Sequence, residues 1–370
     1  MNKYEYFLAN VPGLPNAVKI GLVKHFGSEE ALYRVAEEEI LKVPGLKDKE
    51  RVSLLQFRRT FYIDREWESL AEKEISLVTA FDPAYPAKLS EVYNPPYLLY
   101  YKGTLPGPEE DLCAVVGSRE CSGYGKKMAM ELAGALAKNG IGVVSGMALG
   151  IDGFAHTGAL EAGGRTYALL GCGVDVIYPK KHEDLYYQII ENGAVISELP
   201  PGQAPLRQNF SSRNRLISGL SSRVIVVEAR ERSGSLITAD FALEQGRDVY
   251  AVPGRITDPM SAGTNRLIYE GANIILSKEQ AVSDFLGLSA DHVWPRQNNV
   301  SDEHNSENSV DNSLEKDERV VYSIFDFYPK NLEEACKETD YSPLSFLSIV
   351  MKLCDKGLLR EAFKNEYVKC

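Results

Sequence analysis

The sequence predicts an α/β protein built on a doubly wound, mostly parallel sheet, with a helical segment before it and a small helix-and-strand module after it. Three observations carry this. Between Leu112 and Leu276 short apolar runs alternate with helical patterns, the runs being 113–116, 141–145, 166–170, 194–197, 223–228, 248–252 and 273–276. Such alternation implies parallel strands joined by helices that cover both faces of the sheet. The glycines, serines and arginines with chemical potential cluster in the loops after these runs, where a doubly wound sheet binds its ligands. Finally, 370 residues with 44% hydrophobic and 25% charged content suit two or three globular units rather than one.

In chain order, residues 1–65 read as a helical domain without a strand. Val11-Pro12-Gly13-Leu14 and Val43-Pro44-Gly45-Leu46 are each followed by an amphipathic stretch. The pair reads either as two helix-hairpin-helix units that offer backbone N–H groups to a phosphate, or as a bundle whose Pro-Gly turns stop helices. The many surrounding glutamates favour the bundle. Residues 66–290 form the α/β domain, and its first part, Glu74–Gly103, reads as edge strands and turns rich in tyrosine and proline. Residues 291–316, dominated by Asn, Ser, Asp and Glu, are expected to be a disordered linker. Residues 317–370 suggest a winged-helix module, with helices at 333–339 and 343–356 and strands near 357–360 and 367–369. The helix at 343–356 has only Lys352 and Lys356 as cations, so a protein contact suits it as well as DNA.

The opening residues lack an apolar signal region, and no run approaches bilayer length, so a cytoplasmic location with no membrane partner is expected. The six cysteines form no Cys-x-x-Cys pair and no zinc pattern and are read as reduced thiols; neither metal nor cofactor is expected. The formal net charge of −11 argues weakly against a nucleic-acid partner. Local charge decides the matter, because screening confines interactions to about 10 Å. Between Arg207 and Arg255 there are eight arginines against five acids, so this part is basic within an acidic chain.

The first loop, Gly117-Ser118-Arg119 followed by Ser122-Gly123-Tyr124-Gly125 at a helix start, reads as an anion site. The second, from Ser145 and Gly146 to Asp152, leads into a helix that carries His156. Asp152 and His156 share a helix face and so offer an acid/base pair, though Asp152 serves equally as a helix cap. The third, from Gly171 to Pro179, holds a Gly-x-Gly but lacks the last glycine of a dinucleotide fingerprint, and no Walker A sequence occurs. In Asn209–Gly219 an aromatic residue and two arginines open an apolar helix. Phe210 offers a face for base stacking, while Arg213 and Arg215 either grip phosphates or pair with acids on a solvated face. Ser233, Gly234, Ser235 and Thr238 open another helix, where they cap it or donate to a phosphate.

Taken in order, Gly-Ser-Arg at 117, Ser-Gly at 145 with Gly-Ile-Asp at 150 and Ala-His at 155, Tyr-Pro at 178, Ser-Glu-Leu-Pro at 197, Arg-Asn-Arg-Leu-Ile-Ser-Gly-Leu at 213, Ser-Gly-Ser-Leu-Ile-Thr-Ala at 233, Ala-Val-Pro-Gly at 251 and Gly-Thr-Asn-Arg-Leu-Ile at 263 resemble the DNA-processing protein A (DprA or Smf) family. The resemblance spans the α/β domain. It implies an extended Rossmann fold, often with a sterile-alpha-motif-like N-terminal domain and a C-terminal winged helix. It also implies a non-catalytic homodimer that binds and protects single-stranded DNA and helps load the RecA recombinase during natural transformation. Carried over by position, the DNA site comprises Gly117, Ser118, Arg119, Ser122, Gly146, Phe210, Arg213, Asn214, Arg215, Ser233, Gly234 and Ser235, and the dimer surface includes Leu267 and Ile268. The chain departs from the family pattern at Met147, Leu149, Ser211 and Thr264. The rival readings are a nucleotide-processing enzyme of the lysine-decarboxylase-like Rossmann group and a nucleotide sensor without turnover. For the enzyme, Pro253-Gly254 and Gly263-Thr264 stand too far apart to form its phosphate loop.

Overall fold

The computed structural model describes residues 2–287, 314–326, 329–339, 341–363 and 365–369. The chain divides into two compact units, Met1–Cys121 with Gly125–Leu288, and Ser122–Tyr124 with Ser289–Cys370.

The first unit begins with six helices: α1 (Lys3–Ala9), α2 (Asn16–Phe26), α3 (Glu29–Arg34), α4 (Glu37–Leu41), α5 (Asp48–Thr60) and α6 (Ile63–Glu72). Local chemistry sets their ends. Asn2 and Glu5 close a capping box on α1, and Ser28 caps α3. The two Pro-Gly turns end helices through glycines at φ +66° (Gly13) and +78° (Gly45), with open space around each. The helical segment runs to Glu72, past the expected boundary at 65, and shares a core with the sheet. Tyr6 packs edge-on against Tyr100, and the buried Tyr97 hydroxyl donates to Glu29 Oε1 at 2.9 Å.

Nine strands follow: β1 (Ser76–Thr79), β2 (Leu98–Gly103), β3 (Leu112–Val116), β4 (Gly142–Ser145), β5 (Thr166–Leu169), β6 (Gly193–Ser197), β7 (Arg223–Val226), β8 (Asp248–Ala251) and β9 (Asn273–Ile274). They form one sheet in the order β1-β2-β6-β5-β4-β3-β7-β8-β9. From β6 to β9 every pairing is parallel; β2 joins β6, and β1 joins β2, in antiparallel fashion. The helices between them are α7 (Gly123–Lys138), α8 (Ile151–Glu161), α9 (Glu183–Asn192), α10 (Arg207–Leu220), α11 (Gly234–Glu244), α12 (Ala262–Tyr269) and α13 (Lys278–Phe285).

Strands β3 to β6 are buried along their whole length, as strands covered on both faces must be. Their side chains alternate between two cores. Ala168, Leu170 and Val195 face the N-terminal helices and α9, whereas Tyr167, Leu169, Ala194 and Ile196 face α10 and α11.

The second unit holds α14 (Lys316–Ile324), α15 (Leu332–Lys337) and α16 (Pro343–Asp355) beside a three-stranded antiparallel sheet of β10 (Lys330–Asn331), β11 (Leu359–Phe363) and β12 (Glu366–Lys369). Val321, Phe325, Phe346, Val350 and Leu353 form its core. Residues 291–313 of the expected linker lie outside the described residues. No helix among the described residues is long and apolar enough to cross a membrane.

Candidate functional site

Strand order reverses at β3: the chain proceeds to β4, β5 and β6 on one side, then returns to β7 and β8 on the other. The loops after β3, β4 and β7 therefore diverge and leave a crevice at the carboxyl ends of the strands. A cleft of about 870 Å³ lies there. The loop after β3 supplies Gly117, Ser118, Arg119 and Glu120; the loop after β4 supplies Ala148, with Asp152 from α8. Helix α10 supplies Arg207, Phe210, Arg213 and Asn214. The loop after β7 and the first turns of α11 supply Arg230, Arg232, Ser233, Gly234, Ser235 and Thr238, and Tyr178 completes the rim. Five arginines thus face two carboxylates, which makes the cleft cationic in an acidic chain.

The aromatic centre is Phe210. Its ring stands over Gly171, where a Cβ would fall 2.7 Å from the Phe210 ring, so this approach requires glycine. The Tyr178 ring centroid lies 5.6 Å from it, and the guanidinium carbons of Arg119 and Arg213 lie 5.4 and 6.0 Å away. Arginine over an aromatic face is attracted by the ring quadrupole, so the cations and the stacking surface are held as one assembly.

Arg213 forms the cationic floor. It is buried, it donates to the Leu169 carbonyl, and burial pulls its guanidinium down to about 10. A Cβ on Gly146 would fall 2.3 Å from Arg213 Nη1, so Gly146 makes room for this side chain and does not itself line the cleft. The Gly146 N–H donates to Asp152 Oδ2 at 3.1 Å. Burial raises the Asp152 carboxyl, and the charge of Arg213 opposes that shift. Asp152 follows the Gly150 cap of α8, so it ties down the second loop and is not the helix N-cap. At the opposite wall Ser233 caps α11, and Asn214 Nδ2 donates to the Gly234 carbonyl at 3.2 Å, which fixes α10 against that cap.

Several expectations for the site are corrected. Arg215, two residues beyond Arg213, does not line the cleft and pairs instead with the half-buried Glu198 at 2.5 Å. Ser122 does not line the cleft. The first turn of α7 already has an internal carboxylate against it, since a Cβ on Gly125 would fall 2.2 Å from Glu228 Oε2. Leu267, expected on a dimer surface, is only 4% exposed and belongs to the core beneath α12, with Ile268 packed against that core. Arg207, Arg230, Arg232 and Tyr178 line the cleft without having been singled out. The local excess of arginine was their signal for the first three; Tyr178 stood in the third loop.

His156 is sealed inside. The Thr166 hydroxyl donates to the Val143 carbonyl at 2.8 Å, so at 2.6 Å it accepts from Nδ1–H, and Nε2 is left as a buried acceptor without a partner. Burial lowers the imidazole from 6.5 to about 3, and the ring does not line the cleft, so the acid/base pair with Asp152 is not assembled. Folding holds His156 neutral while the unfolded chain protonates it near pH 6.5. This contribution to stability is complete above that pH and is lost as pH falls toward 3, by up to about 1.4 kcal/mol per unit. Asp152, with its raised carboxyl, offsets part of the loss at the acid end. Urea melts between pH 4.5 and 7 are expected to show a shallower pH slope in His156→Gln, by about one proton. Parallel profiles would contradict this.

Residues 76–286 match the family model described as DNA recombination-mediator protein A. The DNA processing protein DprA of Streptococcus pneumoniae is 44% identical over 285 residues, spanning 77% of this chain and 99% of the relative. Its Bacillus subtilis counterpart is 41% identical over 60% of this chain and 76% of its own length. The solved S. pneumoniae structure superposes with a TM-score of 0.68 at 37% identity, covering 77% of this chain and 98% of that one. A structure of DNA processing protein A from Helicobacter pylori, described as showing a unique single-stranded DNA binding mode, superposes with a TM-score of 0.52 at 31% identity, covering 58% and 96%. Matched along the α/β sheet that builds the cleft, the chain belongs to the DNA recombination-mediator protein A family.

Proposed function

We propose that the cleft binds single-stranded DNA and that the protein acts without catalysis as a recombination mediator, protecting incoming strands and passing them to the RecA recombinase in natural transformation. The observation that carries this is a cleft at the switch point of the sheet lined by five arginines and by the neighbouring rings of Phe210 and Tyr178. Arginines suit any phosphate and aromatic rings suit any base, so together they favour unpaired strands without regard to sequence. Family membership and the single-strand binding described for the H. pylori relative support the same reading. The nucleotide-processing alternative lacks its contiguous phosphate loop, since Pro253-Gly254 and Gly263-Thr264 stand apart in the sequence.

In this proposal residues 1–65 act as a sterile-alpha-motif-like module and residues 317–370 as a winged helix. Lys356, which caps the end of α16, is held by Glu318 at 2.7 Å, and Lys352 is the cation within that helix, which favours protein contact there. A homodimer would use the side of α12 where Tyr269 is 91% exposed, with Ile268 beside it. A cytoplasmic location follows from the same role.

The test is equilibrium binding of an oligonucleotide and its duplex across a salt series. Single-strand preference is expected, with log affinity falling by about 0.7 per phosphate contacted for each unit of log salt. Arg119→Ala should weaken all sequences alike and reduce that slope by about 0.7. Phe210→Ala should cost single strands about 1–3 kcal/mol, and duplex less. Unchanged affinity in both variants would reject the cleft as the binding site.

A further inference from the structure

A second groove, of about 570 Å³, lies between α8 and α9 and is lined in part by Gly150, Phe154, Thr157, Lys181, His182 and Leu185. It adjoins the cleft through two shared segments. Ala148 lines the cleft and Gly150 the groove; likewise Tyr178 lines the cleft, and Lys181 and His182 the groove. The segments are bonded together, since His182 Nδ1 donates to the Met147 carbonyl at 3.0 Å. Between them Leu149 is exposed, an apolar ridge that carries no charge to stop a strand. The half-buried Phe154 ring lines the groove, and the Lys126 ammonium, which does not itself line it, lies 4.9 Å from that ring's centroid. An aromatic face next to a cation, with a second lysine at position 181, repeats on a smaller scale the combination of Phe210 with Arg119.

We propose that this groove is a second station for single-stranded DNA: it takes the nucleotides that follow those held in the cleft, Phe154 stacks a base, and Lys126 and Lys181 contact phosphates. The inference rests on the reading of the cleft given above. Glu161 and Asp184 also line the groove. They repel phosphate, which sets the backbone toward Lys181 and Lys126 and turns the bases toward Phe154.

The experiment measures salt-dependent binding of two oligothymidylates, of about 5 and about 25 nucleotides, chosen to fall at the low end of and above the usual site size of a single module. For the Lys126→Gln, Lys181→Gln double variant, the long strand is expected to bind at least tenfold more weakly at low salt, with a slope reduced by about 1.4, two contacts at about 0.7 each. The short strand should be unaffected. In parallel, a single 2-aminopurine is moved along the long strand. Wild-type protein should quench it at positions beyond the cleft, and Phe154→Leu, which keeps an apolar side chain in the groove, should restore its fluorescence there. An unchanged slope for the long strand, or equal weakening of both lengths, would overturn the second station. If Arg119→Ala leaves both lengths unaffected, the cleft reading itself fails, and that result is distinct from a failure confined to the groove.

Discussion

Arg213→Ala is expected to weaken single-strand binding by at least tenfold and also to destabilise the fold, a combination that Arg119→Ala should not show. The difference follows from burial. Arg119 projects into solvent, so its removal costs a contact with the ligand and little else. Arg213 is enclosed under the cleft, with Gly146 cleared to receive it and the buried Asp152 carboxylate held partly by its charge. Its truncation leaves a cavity and an uncompensated acid, a change that costs roughly 3 kcal/mol. For a unit of this size that is a fall in midpoint of about 5 °C. Loss of a charge-assisted hydrogen bond to phosphate, worth about 1.5–3 kcal/mol, accounts for the binding effect. Thermal melts and binding titrations of both variants check this, and an Arg213→Ala midpoint equal to wild type would refute the buried-floor description. The double variant Asp152→Asn, Arg213→Met separates the two effects. It should recover much of the stability, because a buried ion pair is replaceable by apolar volume, yet it should not recover binding, because the cation is gone.

Glu198→Ala should be destabilising by about 3–5 kcal/mol, although Glu198 lies outside the cleft. It strands the Arg215 guanidinium, whose Nη2 is bonded to Glu198 at 2.5 Å and which is shielded from water. Burial pushes the Glu198 carboxyl up, while the charges of Arg215 and then Lys19 of α2 pull it back, so the acid serves two buried cations. Glu198→Gln keeps a hydrogen-bond acceptor and should lose less. The pair Glu198→Met with Arg215→Met should return most of the loss, and denaturant melts of the four proteins form the required cycle. A loss below about 1 kcal/mol for Glu198→Ala would indicate that water reaches Arg215. Because Arg215 shares a helix with Phe210 and Arg213, weakened DNA binding in Glu198→Ala that Glu198→Gln restores would show the bridge positioning α10.

Much of the sheet was legible because its signal is local. Each predicted strand of the α/β sheet overlaps an observed one, from 113–116 within β3 to 273–276 over β9, and the signal is strongest for β3 to β6, which are buried on both faces and so apolar at nearly every position. The gathering of Arg119, Phe210 and Ser233 in one place was legible too, since loops at the carboxyl ends of parallel strands meet at a switch point whatever their side chains. The dependence of the N-terminal helices on the sheet was not. Their own pattern shows an apolar face but not the Tyr97 and Tyr100 rings that cover it.

The sequence by itself determined the order of strands and helices, the loops that carry the site and the local excess of arginine over acid, because period, turn chemistry and charge are properties of neighbouring residues. Arg213 and Arg215 were both expected to serve the site, although residues two apart on a helix differ by about 200° in direction. Only the tertiary structure decided which of them faces the cleft. That choice depends on Glu198 at the end of β6 and on the space above Gly146 after β4, both distant in sequence from α10. The same holds for Leu267, whose burial was settled by the sheet beneath α12. The direction a side chain faces is set by what packs against its element, and that partner is brought there by the fold.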